Sequence, residues 1–276
     1  MKNLYFETLN KLRLNNINNA ELDLRIIINN SLIKKKESLI QDIKLRDINL
    51  RKFNLILKRR IKGEPLSKIF NNKEFWSLNY YTSNKVLDPR PETEFIVESV
   101  IKKFKNISSK KSILDLGTGS GCIIISILKH FKNFHGTGVD ISKEAVLVAK
   151  KNSKKHLNNK RLKLLNKNWI SIKKKYDIIV SNPPYIKKQE YDKLSKEVKL
   201  YDPKIALFAG NDGLQKYKQI APIVYKCMKK KSLFFVEIPK NQKKSILEIF
   251  TKNKFKLLEV VFDYQKIERV LILKKL

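Results

Sequence analysis

The chain has 276 residues, two cysteines and a formal charge of +34, from 60 basic and 26 acidic residues. That length buries a full core without help from disulfides or metal and allows one or two domains. Cys122 and Cys227 make no disulfide framework, the three histidines have no ligand spacing, and no apolar run approaches the ~18 residues of a membrane span, which excludes the disulfide-rich secreted, structural-zinc and membrane classes. The first residues, MKNLYFETLN, hold no apolar segment, so no secretory signal is expected and the compartment read from the sequence is the cytoplasm. The positive charge is spread evenly, at about 0.12 per residue on both sides of residue 75. It reads as a bias towards Lys, Asn and Ile, not as one nucleic-acid patch. The field still favours incidental contact with acidic partners such as RNA.

Residues 1–72 are expected to form a small all-helical domain. Leu22, Ile26 and Ile27 recur at helical spacing, as do Leu39, Ile43 and residues 48–50, then Phe53, Leu55, Ile56 and Leu57. Gly63-Glu64-Pro65 marks a helix end. The aromatic, alternating stretch EFWSLNYYT at 74–82 predicts a strand or hairpin, with residues 73–84 as a linker to a second domain over 85–276. Lysine runs at 34–36, 173–175 and 229–231 read as solvated element ends. From about Ser112 the pattern alternates. Strands are expected at 112–116, 135–139, 162–165, 176–181 and 232–237, helices at 122–131, 143–157 and 213–228, and an antiparallel pair at 255–263 and 270–273. Alternation of this kind predicts an α/β fold with a doubly wound, mostly parallel sheet covered on both faces.

Glycine is scarce, and five of the eight lie between Gly117 and Gly138. The run Asp115-Leu116-Gly117-Thr118-Gly119-Ser120-Gly121 follows a strand and opens a helix, the place where open α/β sheets bind ligands. Its spacing is G-x-G-x-G, which is neither the G-x-G-x-x-G dinucleotide fingerprint nor a phosphate-cradling P-loop. Asp140, at the end of the next strand, can accept both hydroxyls of a ribose, or can instead cap the helix near Ser142. Asn182-Pro183-Pro184-Tyr185 follows the strand at 176–181. Two prolines stiffen the chain and remove two N–H donors. Asn182 and the Pro183 carbonyl can then accept the hydrogens of a planar NH₂ group while Tyr185 packs on its face.

ILDLGTGSGC, the strand-end Asp140 and NPPY together resemble class I S-adenosylmethionine-dependent amino-methyltransferases. The string Arg-Pro-Glu-Thr-Glu at 90–94, with GEPLSKIF at 63–70 and ERVLIL at 268–273, narrows the resemblance to the HemK family, the methyltransferases of release-factor glutamine. The resemblance covers roughly residues 60–276 and implies a Rossmann-like methyltransferase domain with S-adenosylmethionine as cofactor and no metal. It also implies that Gly117, Thr118, Gly119, Ser120 and Gly121 wrap the methionine part and that Asp140 holds the ribose. Trp169 would pack on the adenine, and Asn182, Pro183, Pro184 and Tyr185 would clamp the substrate glutamine, Asn182 also bordering the cofactor. Asn168 stands where the family commonly has Asp, keeping an acceptor but losing the charge. Asp88 and Pro239 depart from the family pattern at positions expected to stand clear of these motifs.

The resemblance implies a monomeric protein-glutamine N-methyltransferase acting on the Gly-Gly-Gln loop of peptide chain release factors, with the helical domain docking the protein substrate. Catalysis is expected to rest on positioning, because no histidine sits in a motif. Two alternatives stand beside it: an amino-methyltransferase of RNA or DNA bases, which shares the NPPY chemistry, and a binding module without activity.

Overall fold

The computed structural model describes residues 1–34, 42–157 and 160–276. The chain divides into two compact units, one of Met1–Asn71 with Ser195–Tyr201, the other of Asn72–Leu194 with Asp202–Leu276. No helix among the described residues is long and apolar enough to cross a membrane.

The smaller unit is helical. It comprises α1 (Lys2–Leu14), α2 (Ala20–Ser31), α3 (Leu50–Ile61), α4 (Leu66–Phe70) and a later helix, Lys196–Tyr201. In α3, Phe53, Ile56, Leu57 and Arg60 fall on one buried face at helical spacing, and the Asn49 side chain caps the first turn by accepting from Lys52 N at 3.0 Å. The buried Arg60 guanidinium is paired on two sides, with Asp23 Oδ2 at 2.6 Å and Glu197 Oε2 at 3.0 Å. A buried charge needs such partners.

Three sequence expectations are corrected here. Leu22 is exposed and Ile26 half-buried; Leu24 and Ile28 join Ile27 on the packed face of α2. Leu55 is likewise exposed. The helix expected from Leu39 through Leu50 does not form within 42–49, and Leu39 itself lies outside the described residues. Ile43 and Ile48 are buried, but between them runs only a 3₁₀ turn, Leu45–Asp47, in which the Asp47 carboxylate accepts from Lys44 N at 2.9 Å. This is the acidic half of a capping box, which sets the start of a helical turn at Lys44 where a helix running through Ile43 was expected.

The larger unit begins with a hairpin of β1 (Lys73–Phe75) and β2 (Leu78–Tyr80), whose Phe75 and Tyr80 are buried in that unit's core. There follow α5 (Glu94–Phe104), β3 (Ser112–Leu116), α6 (Cys122–His130), β4 (His135–Asp140), α7 (Lys143–His156), β5 (Leu162–Asn166) and β6 (Tyr176–Ser181). The short α8 (Lys188–Tyr191) precedes the helix of the smaller unit, α9. Then come α10 (Gln215–Cys227), β7 (Met228–Glu237), α11 (Lys243–Lys252), β8 (Phe255–Phe262) and β9 (Glu268–Lys275). Helices α5 and α11 had no counterpart in the sequence reading.

The seven strands order as β5-β4-β3-β6-β7-β9-β8, parallel up to β7 and antiparallel where β9 joins β7 and β8. Each strand alternates sides. Ile113, Ile178, Val180 and Phe235 face the cluster formed with α5 and α6, while Leu114, Leu116, Ile179 and Phe234 face α10 and α11. This is the doubly wound, mostly parallel sheet expected from the pattern. The order reverses at β3, so the crevice of the fold opens beyond the carboxyl ends of β3, β4 and β6.

A single buried side chain ties the segment after the hairpin to that crevice. Asn152 of α7 accepts from Tyr81 N at 2.7 Å and donates to Tyr81 O at 3.0 Å and Ser120 O at 2.9 Å. Asn152→Ala leaves three backbone groups without partners and is expected to destabilise the chain by about 2–4 kcal/mol in urea unfolding. A loss of about 0.5 kcal/mol or less would show that water replaces these bonds at no cost.

Candidate functional site

The glycine run folds as a tight loop because one carbonyl gathers it. Val139 O, on the neighbouring strand, accepts from Gly117 N at 2.9 Å and Thr118 N at 3.0 Å. The loop passes into left-handed backbone at Gly117 and Gly119, then ends at Gly121, the N-cap of α6, with φ 81°. Gly121 also has no room for a side chain, since a Cβ there would lie 2.8 Å from Ile125 Cδ1 and 3.3 Å from Ala149 Cβ. Gly138 on β4 faces the loop from below. A Cβ at that position would lie 2.8 Å from Thr118 Oγ1.

Two carboxylates flank this loop. Asp140 uses one oxygen for Gly119 N and the other for Ser142 N, both at 2.9 Å. It therefore pins the glycine loop and steadies the start of α7, where Ser142 Oγ caps by accepting from Ala145 N at 3.1 Å. Burial raises its pKa. Asp115, inside β3, is fully buried. Its Oδ2 accepts from Thr118 Oγ1 at 2.7 Å, and its Oδ1 has no hydrogen-bond partner among the described residues. Burial pushes its pKa up to about 7.

A cavity of about 300 Å³ opens over these residues. Gly117, Thr118, Gly119, Ser120, Asp140, Trp169, Asn182 and Pro184 line it. Gly121, Pro183 and Tyr185 do not. Gly121 packs under the start of α6, Pro183 is buried, and the Tyr185 ring packs against the α10 and α11 core, within electrostatic reach of Glu237. Tyr185 thus faces the core in place of a ligand. Trp169 approaches Gly117 closely, its Cζ3 lying 3.9 Å from where a Gly117 Cβ would be. Asn168 lines the cavity too, but its Oδ1 accepts from Ile170 N at 3.1 Å, capping the turn Trp169–Ser171. One lone pair of the acceptor expected to face a ligand is used in this cap. Among the described residues no group of three or more His, Cys, Asp or Glu is arranged to hold a metal ion.

Asn182 leaves β6 beside Ser181, whose Oγ donates to Leu116 O at 2.8 Å. Its Nδ2 donates to Thr93 Oγ1 at 2.9 Å, and Thr93 Oγ1 donates to Glu237 Oε2 at 2.7 Å. Tyr217 OH adds a bond to Glu237 O at 2.9 Å. Burial raises the pKa of Glu237 to about 7 and those of Tyr185 and Tyr217 above the usual phenol range. Around this group, Arg269 pairs with Asp263 at 2.7 Å and reaches Glu92 at 3.9 Å, and Arg90 pairs with Asp202 at 2.7 Å.

Comparison with known proteins separates the fold from the family. The sequence profile of the family described as "Methyltransferase small domain" matches residues 74–199. A release factor glutamine methyltransferase of Buchnera aphidicola is 37% identical over 254 residues, covering 91% of each chain. The chain belongs to the release factor glutamine methyltransferase family. A "Bifunctional methyltransferase" of Rickettsia bellii is 35% identical over 285 residues and takes in 92% of this chain. The chain spans about half the length of that relative, 51%. A solved methyltransferase from Pyrococcus furiosus, 18% identical, superposes with a TM-score of 0.52 over 82% of this chain and 98% of its own, which shows a shared fold.

The cavity also takes in residues that the sequence pattern did not single out. Asp88, expected to stand clear of the motifs, lines the cavity and accepts from Thr82 Oγ1 at 2.5 Å. Arg90 and Thr93 line it as well, which turns the 90–94 string from a family mark into part of the wall. Asp115 carried a signal of its own, an acidic residue inside an otherwise apolar strand. Its ordinary value of 3.8 holds in the unfolded chain and the folded value is about 7, so its contribution to stability is full below about pH 4 and is lost as pH rises through 7. Asp115→Asn removes that titration. Its melting temperature relative to wild type is expected to be more favourable at pH 8 than at pH 5. An offset equal at the two pH values would mean that Asp115 does not titrate in this range.

Proposed function

We propose that this chain is an S-adenosylmethionine-dependent methyltransferase that modifies the side-chain amide of the glutamine in the Gly-Gly-Gln loop of peptide chain release factors. The observation that carries the reading is the state of Asn182. Its NH₂ is bound to Thr93, so its Oδ1 is the atom left to accept a hydrogen at the cavity wall. A substrate that presents NH₂ is what such an acceptor suits.

The cavity residues fit the cofactor. Asp115 brings a buried carboxylate oxygen without a partner under the glycine loop, which suits a cationic ligand. Asp140 holds one N–H on each oxygen and retains lone pairs for ribose hydroxyls. Trp169 offers a flat ring beside Gly117 for a base. When bound, the cofactor supplies an electrophilic methyl on a sulfonium sulfur.

The protein's part is to bind and aim. Asn182 Oδ1 accepts a hydrogen of the substrate amide, orients its nitrogen and stabilises the positive charge that grows on it. Pro183 and Pro184 contribute no N–H that would compete. Alignment of this kind supplies several of the ~7–11 kcal/mol available to well-oriented reactions. Tyr185, packed into the core, braces the corner from inside. The helical unit, which exposes Phe6, Leu14, Leu22 and Leu55, is assigned to docking the protein substrate. The reading places the enzyme in the cytoplasm as a monomer, in keeping with its two buried, unbridged cysteines.

Methyl-labelled cofactor is to be incubated with the protein and a release factor, beside a copy of the factor with its loop Gln changed to Ala, and beside RNA. Label on the first alone supports the reading; label on RNA alone replaces it with base methylation, which the +34 charge would then explain. Asn182→Ala is expected to lower the transfer rate by at least about 100-fold, with cofactor affinity by calorimetry changed little. Asp140→Ala is expected to weaken cofactor binding by about 10- to 100-fold, the worth of charge-assisted bonds to hydroxyls.

A further inference from the structure

We infer that Thr93 and Glu237 act as positioning residues that fix which end of the Asn182 carboxamide faces the substrate. The inference rests on the proposed amide substrate and concerns a pair that touches neither reacting atom. The two ends of an Asn side chain have nearly the same shape but opposite hydrogen-bonding character. With Oδ1 outward, Asn182 accepts from a substrate NH₂. With Nδ2 outward, donor meets donor and the substrate is rejected. Something in the protein must choose between the two.

The choice lies in one hydrogen atom. Thr93 sits in the turn Pro91–Thr93 ahead of α5, buried, across the ends of two paired strands. Asn182 follows β6 and Glu237 ends β7. A hydroxyl has a single hydrogen, and Thr93 gives it to Glu237 Oε2 at 2.7 Å. Toward Asn182 it can then only accept, as it does from Nδ2 at 2.9 Å. An ionised Glu237 can only accept in turn, so the direction of every bond in the relay is set by its charge. A protonated Glu237 can donate to Thr93 Oγ1. Thr93 is then free to turn its hydrogen to Asn182 Oδ1, and the carboxamide flips.

The groups that face Glu237 bear on that charge. Tyr217 OH donates to the backbone carbonyl, Arg269 and the nearby Tyr185 favour the ionised form, and Glu92 opposes it. Cys122 lies within electrostatic reach of Glu237, and Arg90 acts on the neighbouring Tyr185. Burial outweighs these and raises the Glu237 pKa to about 7. The working form is the ionised one, so the rate rises with pH through the neutral range and falls below it.

The test uses the full chain, with kcat, the KM of the release factor and calorimetric cofactor affinity measured from pH 5.5 to 9. Thr93→Val keeps the shape and removes the hydroxyl. Its kcat is expected to fall about 10- to 100-fold, with cofactor affinity within about twofold of wild type. Thr93→Ser, which restores the hydroxyl, is expected to recover most of that loss. Glu237→Gln carries a donor that does not titrate, and is expected to lower kcat and erase the acidic limb of the profile. Wild-type kcat in Thr93→Val, or equal losses in the Val and Ser variants, overturns the relay. Thr93 variants leave the buried charge in place, so a failure of Glu237→Gln to fold does not decide the question. If wild type transfers no methyl to the release factor, the substrate assignment fails and the relay is read directly. The Asn182 side-chain amide resonances should move with pH through the neutral range in wild type and lose that response in Thr93→Val. Amide signals indifferent to both changes overturn it.

Discussion

In the parallel pairing of three strands, Leu116 of β3 stands opposite Val139 of β4 on one side and Ser181 of β6 on the other. That register brings the glycine loop, Asp140 and Asn182 to one edge of the sheet within a residue of each other. It also places Val139 O where it can hold two loop amides and Leu116 O where it can accept from Ser181 Oγ. A slip of one residue would exchange the faces of the strands and send Leu114 and Ile179 into the wrong cluster. Burial on both sides of the sheet therefore fixes the site as firmly as it fixes the fold.

How much of this was visible in the sequence depends on the range of each interaction. The glycine loop, the strand ahead of it and the Asn-Pro-Pro-Tyr corner are local features. Scarce Gly and paired Pro mark them without any tertiary information, and the structure places them at strand ends where expected. The network behind Asn182 is of another kind. Thr93 lies 89 residues from Asn182 and 144 from Glu237, so no local pattern joins them. Asn168 and Tyr185 were legible as polar or aromatic residues near a site, but not in the direction they face. A neighbouring backbone amide bonds the one, and the α10 and α11 core takes the other. In the helical unit the periodicity of hydrophobic residues was shared among faces, so Leu22 and Leu55 read as core and lie outside it. Asp47 shows how a single short side chain can set where a turn begins, by accepting from the cap N–H.

The distribution of charge gains meaning from the site. The chain carries more than twice as many basic as acidic residues, yet Asp88, Asp115, Asp202 and Glu237 are buried around the crevice and Asp140 nearly so. A basic exterior surrounds an acidic interior. The outer field would draw polyanionic partners, while the inner one suits a positively charged ligand. The two preferences are separated by depth, which lets a strongly basic protein hold a cation at its centre.

The β1–β2 hairpin turns through Trp76 and Ser77, both in left-handed backbone with φ near 50–55°. Turns of this hand match the twist of the strands but are usually built from Asn and Gly. Each non-glycine residue held there stores roughly 1 kcal/mol or more of strain. The bond from Trp76 N to Glu94 at 2.7 Å and the burial of Phe75 and Tyr80 hold the turn closed against that tension. The hairpin is thus a loaded spring at the entrance to the larger unit, and a designer seeking a hardier enzyme would begin by relaxing it.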